Sequence, residues 1–320
     1  MRGHAWTIGG FVRDRIRPPF ASSGSRPWTL TLADERFGSV RLSGWLQRVP
    51  ASTSLVVIVH GLAGSAQSPY CLRAAQAATA AGMSSLRLNL RGADGLGQDF
   101  YHAGLSSDLA ATLRSPELAE FSELFVLGFS LGGHVVLQLA LDRPPRLKAA
   151  AAVCAPLDLS AAADAFDALG CVLYRRVILA ELKAMYSRVA QQRSLPVEPE
   201  RVRRVTGIRA WDDLTVARRY GFGSAERYYR QVSVGGRLSR LRVPALLVSV
   251  RRDPMVSRDS VAPSLVRASE ALRVCWVQSG GHVSFPSRLS LGQRGPPGIF
   301  HQTIAWFERS KNSVLDPRHV

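Results

Sequence analysis

The sequence is poor in cysteine, poorer still in lysine, and short of acidic residues and of long apolar runs. Its four cysteines, Cys71, Cys154, Cys171 and Cys275, include no CxxC pair and no cluster with metal-ligand spacing. That argues against a disulfide scaffold and a zinc module, and predicts reduced thiols in a reducing, cytoplasmic compartment. No apolar stretch approaches the roughly 18 residues that a membrane span needs. Residues 1–27 carry Arg2, Arg13, Arg15, Arg17 and Arg26 without the apolar segment of a secretory leader, so a soluble protein is expected. Asp and Glu number 24 against 41 Lys and Arg, a formal net charge of +17, and only Lys148, Lys183 and Lys311 are lysines. Such a chain attracts polyanions and anionic membranes without specificity. The arginines are scattered, however, and are not interleaved with stacking aromatics. No nucleic-acid-binding signature is present, so no nucleic-acid partner is expected. The charge reads as a compositional habit, compatible with peripheral contact at a membrane. Nothing in the sequence fixes an oligomeric state.

What is present is a regular alternation. Residues 28–32 and 39–47 alternate apolar and polar positions, as two antiparallel strands would. Residues 55–59 (LVVIV) form an unbroken, mostly β-branched run, the pattern of a parallel strand buried on both faces. Further strands are predicted at 84–90, 123–129, 149–155, 245–250 and 272–277. Helices are predicted near 69–81, 103–115, 131–141, 259–270 and 299–309. The alternation stops from 159 to 237, a helical stretch rich in aromatic residues. The fold class is therefore α/β, a mostly parallel central sheet with helices on both faces. The expected organisation is one discontinuous core (28–158 and 238–310), a cap insertion (159–237), an N-terminal extension (1–27) and a C-terminal tail (311–320).

The chemistry concentrates at strand ends. Gly128-Phe129-Ser130-Leu131-Gly132 is a G-x-S-x-G nucleophile elbow between a core strand and a helix, with Ser130 as the nucleophile. The oxyanion of a tetrahedral intermediate needs two N–H donors. Leu131, at the start of the following helix, and Leu62, in the loop His60-Gly61-Leu62-Ala63-Gly64 after the first core strand, are the candidates. A general base is expected after the last core strand, where Gly280-Gly281 precedes His282. His301 falls in a helix and His319 in the tail. His60 reads as a loop-ordering residue and His134 as a polar residue packed near the pocket wall. Asp253, following strand 245–250, is the expected acid. Asp158 is its rival, and Asp259 reads as a helix-capping residue. The order Ser130, Asp253, His282 is that of the α/β-hydrolase fold. No metal or other cofactor is required. Tyr174, Trp211, Phe222 and Tyr229 are candidate liners of an acyl pocket.

The chain also resembles a specific family, the bacterial YheT-like hydrolases and their eukaryotic α/β-hydrolase-domain relatives. The resemblance spans about 28–309. It rests on HGLAGSAQSPY (60–70), LNLRGADG (88–95), LGFSLGGH (127–134), SVRRDP (249–254), SGGHVSF (279–285), Tyr228-Tyr229, Ser233 and RLRVPALL (240–247). Two positions depart from the family pattern: His134 replaces an asparagine and Arg252 replaces an acidic residue. The resemblance implies a serine carboxylic-ester hydrolase, an esterase or acylglycerol lipase, with Ser130, Asp253 and His282 as its triad. Short- to medium-chain acyl esters are the expected substrates. A thioesterase or amidase with the same triad, or a non-catalytic binding protein of this fold, would share these motifs.

Overall fold

The computed structural model describes residues 2–16, 19, 24–96 and 98–311. The chain opens with helix α1 (Arg2–Ile16), followed by strands β1 (Arg26–Asp34), β2 (Gly38–Gln47) and β3 (Ser54–Val59). Helix α2 (Pro69–Ala80), strand β4 (Ser84–Asn89), helix α3 (Ser106–Arg114), strand β5 (Glu123–Phe129), helix α4 (Leu131–Leu141) and strand β6 (Leu147–Val153) come next. Six helices then run without a strand: α5 (Leu159–Asp167), α6 (Val172–Ala190), α7 (Pro199–Arg203), α8 (Ile208–Leu214), α9 (Val216–Arg219) and α10 (Ala225–Val232). Strand β7 (Ala245–Val250), helix α11 (Arg258–Leu265), strand β8 (Leu272–Val277) and helix α12 (Ile299–Lys311) complete the chain.

The eight strands form one sheet in the order β1-β2-β4-β3-β5-β6-β7-β8. The β1–β2 and β2–β4 pairs are antiparallel, and every later pair is parallel. This is the mixed, mostly parallel α/β-hydrolase sheet expected from the sequence. Alternate residues of each strand point to opposite faces. Val57, Val59, Val126 and Ala152 pack into one core with α3 and α4. Val56, Ile58, Leu127 and Ala151 pack into the other with α2 and α12. From β3 the chain moves to β4 on one side and then returns to β5 on the other. Loops leaving the C-terminal ends of β3 and β5 therefore diverge and leave a crevice, where ligands bind in open α/β sheets.

The structure departs from the sequence reading at several borders. Helix α3 begins at Ser106, because residues 101–105 are a turn tied to distant groups: Ala103 N–H donates to Tyr228 Oη at 2.9 Å. Strand β6 occupies 147–153 instead of 149–155, ending where Cys154 takes a positive φ of 53°. Helix α11 stops at Leu265, two residues after Pro263. Most of the segment read as an N-terminal extension is helix α1. The last nine residues of the expected tail lie outside the described residues.

Candidate active site

Ser130 sits between β5 and α4 with φ 51° and ψ −121°, a conformation that an L-residue holds only when its surroundings over-determine it. The glycines around it make the turn sterically feasible. A Cβ on Gly128 would stand 2.2 Å from Gly132 O, and one on Gly132 would stand 2.3 Å from His60 O. Strand, helix and the loop after β3 thus meet at van der Waals limits, with the Ser130 side chain on the outer side of the turn.

The residues predicted to act together form one hydrogen-bonded line. His282 Nε2 is 2.9 Å from Ser130 Oγ, and His282 Nδ1 is 2.9 Å from Asp253 Oδ2. Asp253 is buried, and its Oδ1 accepts from Met255 N–H at 2.8 Å and Val256 N–H at 3.0 Å. These two backbone donors fix the carboxylate plane, and Nδ1 facing that carboxylate leaves Nε2 directed at the serine. The rivals lie elsewhere. Asp158 is exposed and caps α5, accepting from Ser160 N–H and Ala161 N–H. Asp259 lies in the first turn of α11, whose cap is Ser257, so the capping role expected of Asp259 belongs to Ser257.

The other histidines have different partners. His60 is fully buried, with Nδ1 2.7 Å from Gly61 O and Nε2 accepting from Leu90 N–H at 3.0 Å. It is a neutral strut between the loop after β3 and the end of β4, and burial pushes its pKa down to about 4. His134 is fully buried, its ring nitrogens facing Pro156 O at 2.8 Å and Val232 O at 3.1 Å. Burial holds it down to about 4 as well, and neither nitrogen reaches Ser130.

The loop after β3 presents its N–H groups selectively. Gly61 N–H donates to Tyr70 Oη at 3.1 Å and Ala63 N–H to Tyr101 Oη at 2.7 Å. Between them, Leu62 N–H has no acceptor among the described residues. Leu131 N–H opens the first turn of α4, where a helix offers no internal acceptor. The loop lies against the elbow: a Cβ on Gly61 would stand 3.0 Å from Ser130 Cβ. Asn89 anchors this region, its Oδ1 accepting from Ala66 N–H at 2.7 Å. Sequence reasoning passed over Tyr70, Tyr101 and Asn89 as individuals, although each lies in or near a family motif.

Ser130, Leu62, Leu131 and His282 line one cavity of about 730 Å³. Tyr174, Trp211 and Tyr229 contribute to its walls. Phe222 does not. Its ring packs on Tyr228 at 5.0 Å and edge-on to His102 at 5.4 Å, against the core shared by the helical segment and the sheet. Asp212 is a polar exception in the wall; it accepts from Tyr229 Oη at 2.7 Å, and burial raises its pKa to about 7.

Helix α1 forms one side of the cavity through Thr7, Ile8 and Gly10, a placement not expected from the sequence. Its Thr7 Oγ1 accepts from His282 N–H at 2.8 Å, so α1 buttresses the loop that carries the histidine. Gly281 makes this approach sterically feasible, since a Cβ there would meet Thr7 Oγ1 at 2.4 Å. Arg252 is exposed, and its backbone carbonyl faces Gly3 of α1.

Cys154, Asp253 and His282 place one ligand atom each within 4.8 Å of one another. The geometry does not favour a metal: the carboxylate already accepts two N–H groups and the imidazole, and His282 Nε2 is directed at Ser130. Burial, reinforced by the Asp253 charge, pushes the Cys154 thiol well above its ordinary pKa. A buried protonated thiol is a poor ligand and a poor nucleophile.

Residues 54–173 match the family model for the alpha/beta hydrolase fold. The chain is 31% identical over 239 residues to the putative esterase YheT of Escherichia coli, covering 72% of this chain and 70% of that protein. It is 28% identical to the medium-chain fatty acid ethyl ester synthase/esterase 2 of Saccharomyces cerevisiae, over 72% of this chain and 58% of the yeast protein. Among solved structures, Est1E from Butyrivibrio proteoclasticus superposes with a TM-score of 0.55 at 15% identity, over 90% of this chain and 97% of that one, a likeness of fold. The chain belongs to the α/β-hydrolase family, in kinship with the YheT-like putative esterases.

Proposed function

We propose that the protein is a serine carboxylic-ester hydrolase for short- to medium-chain acyl esters. The observation that carries this reading is the line Asp253–His282–Ser130, with both spacings at 2.9 Å, opening into an apolar-walled cavity. His282 takes the Ser130 proton as Oγ attacks the ester carbonyl carbon. Asp253 holds the imidazole tautomer and stabilises the imidazolium. The N–H groups of Leu62 and Leu131 receive the oxyanion. Collapse of the tetrahedral intermediate breaks the C–O bond, and the imidazolium protonates the leaving alcohol. Water then attacks the acyl carbon, giving up its proton to His282; collapse breaks the bond to Ser130 Oγ, the imidazolium returns the proton to Oγ, and the acid leaves.

In this reading, 159–237 is a cap whose helices close the cavity over the strand tips. The names of the related esterases support ester chemistry. A fitting wall gains about 0.8 kcal/mol for each methylene it buries. Activity should therefore rise with acyl length until the chain outgrows the cavity. The test is kcat/KM across p-nitrophenyl esters from acetate to palmitate, beside monoacylglycerols. A maximum at intermediate length supports the assignment. Negligible turnover of every oxyester, with strong turnover of amides or thioesters, would overturn the substrate class and leave the serine chemistry standing.

A further inference from the structure

The surface of α1 and of the start of α6 is unlike the rest of the molecule. Eight large apolar side chains are conspicuously exposed among the described residues, and six of them lie on α1 or on the start of α6 and the turn leading into it. They are Trp6, Ile8, Ile16, Leu169, Leu173 and Val177; the other two, Leu96 and Val266, stand apart in sequence. Leu169 is 90% exposed, Leu173 67% and Val177 57%, and their spacing of four places them along one side of the helix and its lead-in turn. Ile8, Leu173 and Val177 also line the Ser130 cavity, so the apolar surface is continuous with the pocket wall. The two elements are joined where His4 Nδ1 meets Tyr174 Oη at 3.2 Å, with the rings stacked at 5.7 Å.

We propose that this apolar rim docks on the surface of an anionic lipid bilayer, with the cavity mouth facing the lipid. Charge selects the occupant. Arg176 is exposed between Leu173 and Val177, and Arg13 stands at the mouth with half its side chain exposed. The acid of α1, Asp14, is engaged by both terminal nitrogens of Arg73, at 2.7 and 2.8 Å, and by Arg13 Nε at 3.3 Å, so the two arginines around it leave a net positive charge. A second copy of this chain would bring a net charge of +17 against another of the same sign. An anionic bilayer instead offers opposite charge at its surface and an apolar layer beneath it. Exposed apolar side chains beside arginines suit that boundary, the first meeting the apolar layer and the second the charged surface. A docked mouth would let an acyl chain pass from the leaflet to Ser130 without crossing water. That consequence rests on the esterase reading; the docking itself does not require turnover.

The experiment separates the two. The full-length S130A protein is sedimented with phosphatidylcholine vesicles, with and without phosphatidylglycerol, at low and at physiological salt. Binding should be at least about tenfold stronger with phosphatidylglycerol and should weaken as salt screens the charge. Leu169→Glu with Ile16→Glu should reduce binding by about tenfold or more, and Arg176→Gln should reduce the dependence on phosphatidylglycerol. In the Ser130 protein, the L169E I16E pair should leave turnover of soluble p-nitrophenyl acetate unchanged, since neither residue lines the cavity. Three results would overturn the proposal: no affinity for either vesicle, undiminished binding by L169E I16E, or a dimer that these substitutions dissolve while vesicle binding is absent. Failure of ester hydrolysis with intact vesicle binding would instead count against the esterase reading.

Discussion

Two polar clusters sit near the strand tips, each built around buried aspartate, and they do opposite things. Around Arg91, the guanidinium meets Asp108 at 2.6 and 2.9 Å and Asp34 at 2.8 Å, while Arg219 reaches Asp99 at 3.2 Å. Both charge signs are packed together, and each group's partners are other groups of the cluster or neighbouring backbone, as where Asp34 Oδ1 accepts from Arg36 and Phe37 N–H and Asp99 Oδ1 from Phe100 N–H. Around His282, the line Asp253–His282–Ser130 ends at a hydroxyl that faces an apolar cavity. The first cluster joins β1 and α3 to the loop after β4. The second leaves one end open to the cavity. The lesson is that a buried charge is informative through where its hydrogen-bond chain ends: on protein it is structural, and on a cavity it is poised for chemistry.

The largest expected effect breaks the open cluster. Ser130→Ala should lower kcat on the order of 10⁵-fold or more with folding intact, measured by ester turnover and circular dichroism. Asp253→Asn should cost on the order of 10⁴-fold by reversing the tautomer of His282, whereas Asp158→Asn should leave most activity, as befits an exposed helix cap. Breaking the closed cluster should give the converse result. Arg91→Ala leaves buried carboxylates unpaired and should destabilise the fold by about 3–5 kcal/mol in urea unfolding. Activity per folded molecule should change far less than in S130A.

A smaller effect sharpens the comparison through pH. Burial holds His60 and His134 near pKa 4 and His102 near 3, below the ordinary value of 6.5. Between those values and 6.5 the unfolded chain binds protons that the folded chain does not. Stability is therefore fully present above about 6.5 and falls as pH drops, by about 1.4 kcal/mol per pH unit for each histidine. Urea midpoints at pH 7.5, 6 and 5 should fall accordingly. His134→Asn should flatten the fall by one proton's share; an unchanged slope would show that His134 is charged in the folded state.

Much of this architecture was legible in the sequence because it follows from burial. The run Leu55–Val59 could only be a strand covered on both faces. The alanines of β6, poor strand formers, were readable through their place in the alternation; their small size matches the close approach of α4, where a Cβ on Gly133 would stand 3.3 Å from Ala152 Cβ. Ser130, Asp253 and His282 were legible because strand ends and glycines mark where chemistry can be exposed. Helix α1 was not. Its sequence has no clean amphipathic period, and its place is set by Thr7 meeting His282 and His4 meeting Tyr174, contacts 275 and 170 residues apart. Which of the candidate aromatics line the cavity was illegible for a similar reason: composition marks Phe222 as aromatic, and only packing decides whether it faces a cavity or another ring.

The mechanism turns on which atom is the nucleophile, and one measurement identifies it. The folded protein is treated with a fluorophosphonate and the adduct is located by peptide mass spectrometry, alongside S130A and C154A. The account predicts a single adduct on Ser130, absent from S130A and retained by C154A. An adduct on Cys154, or labelling that persists in folded S130A, would contradict it.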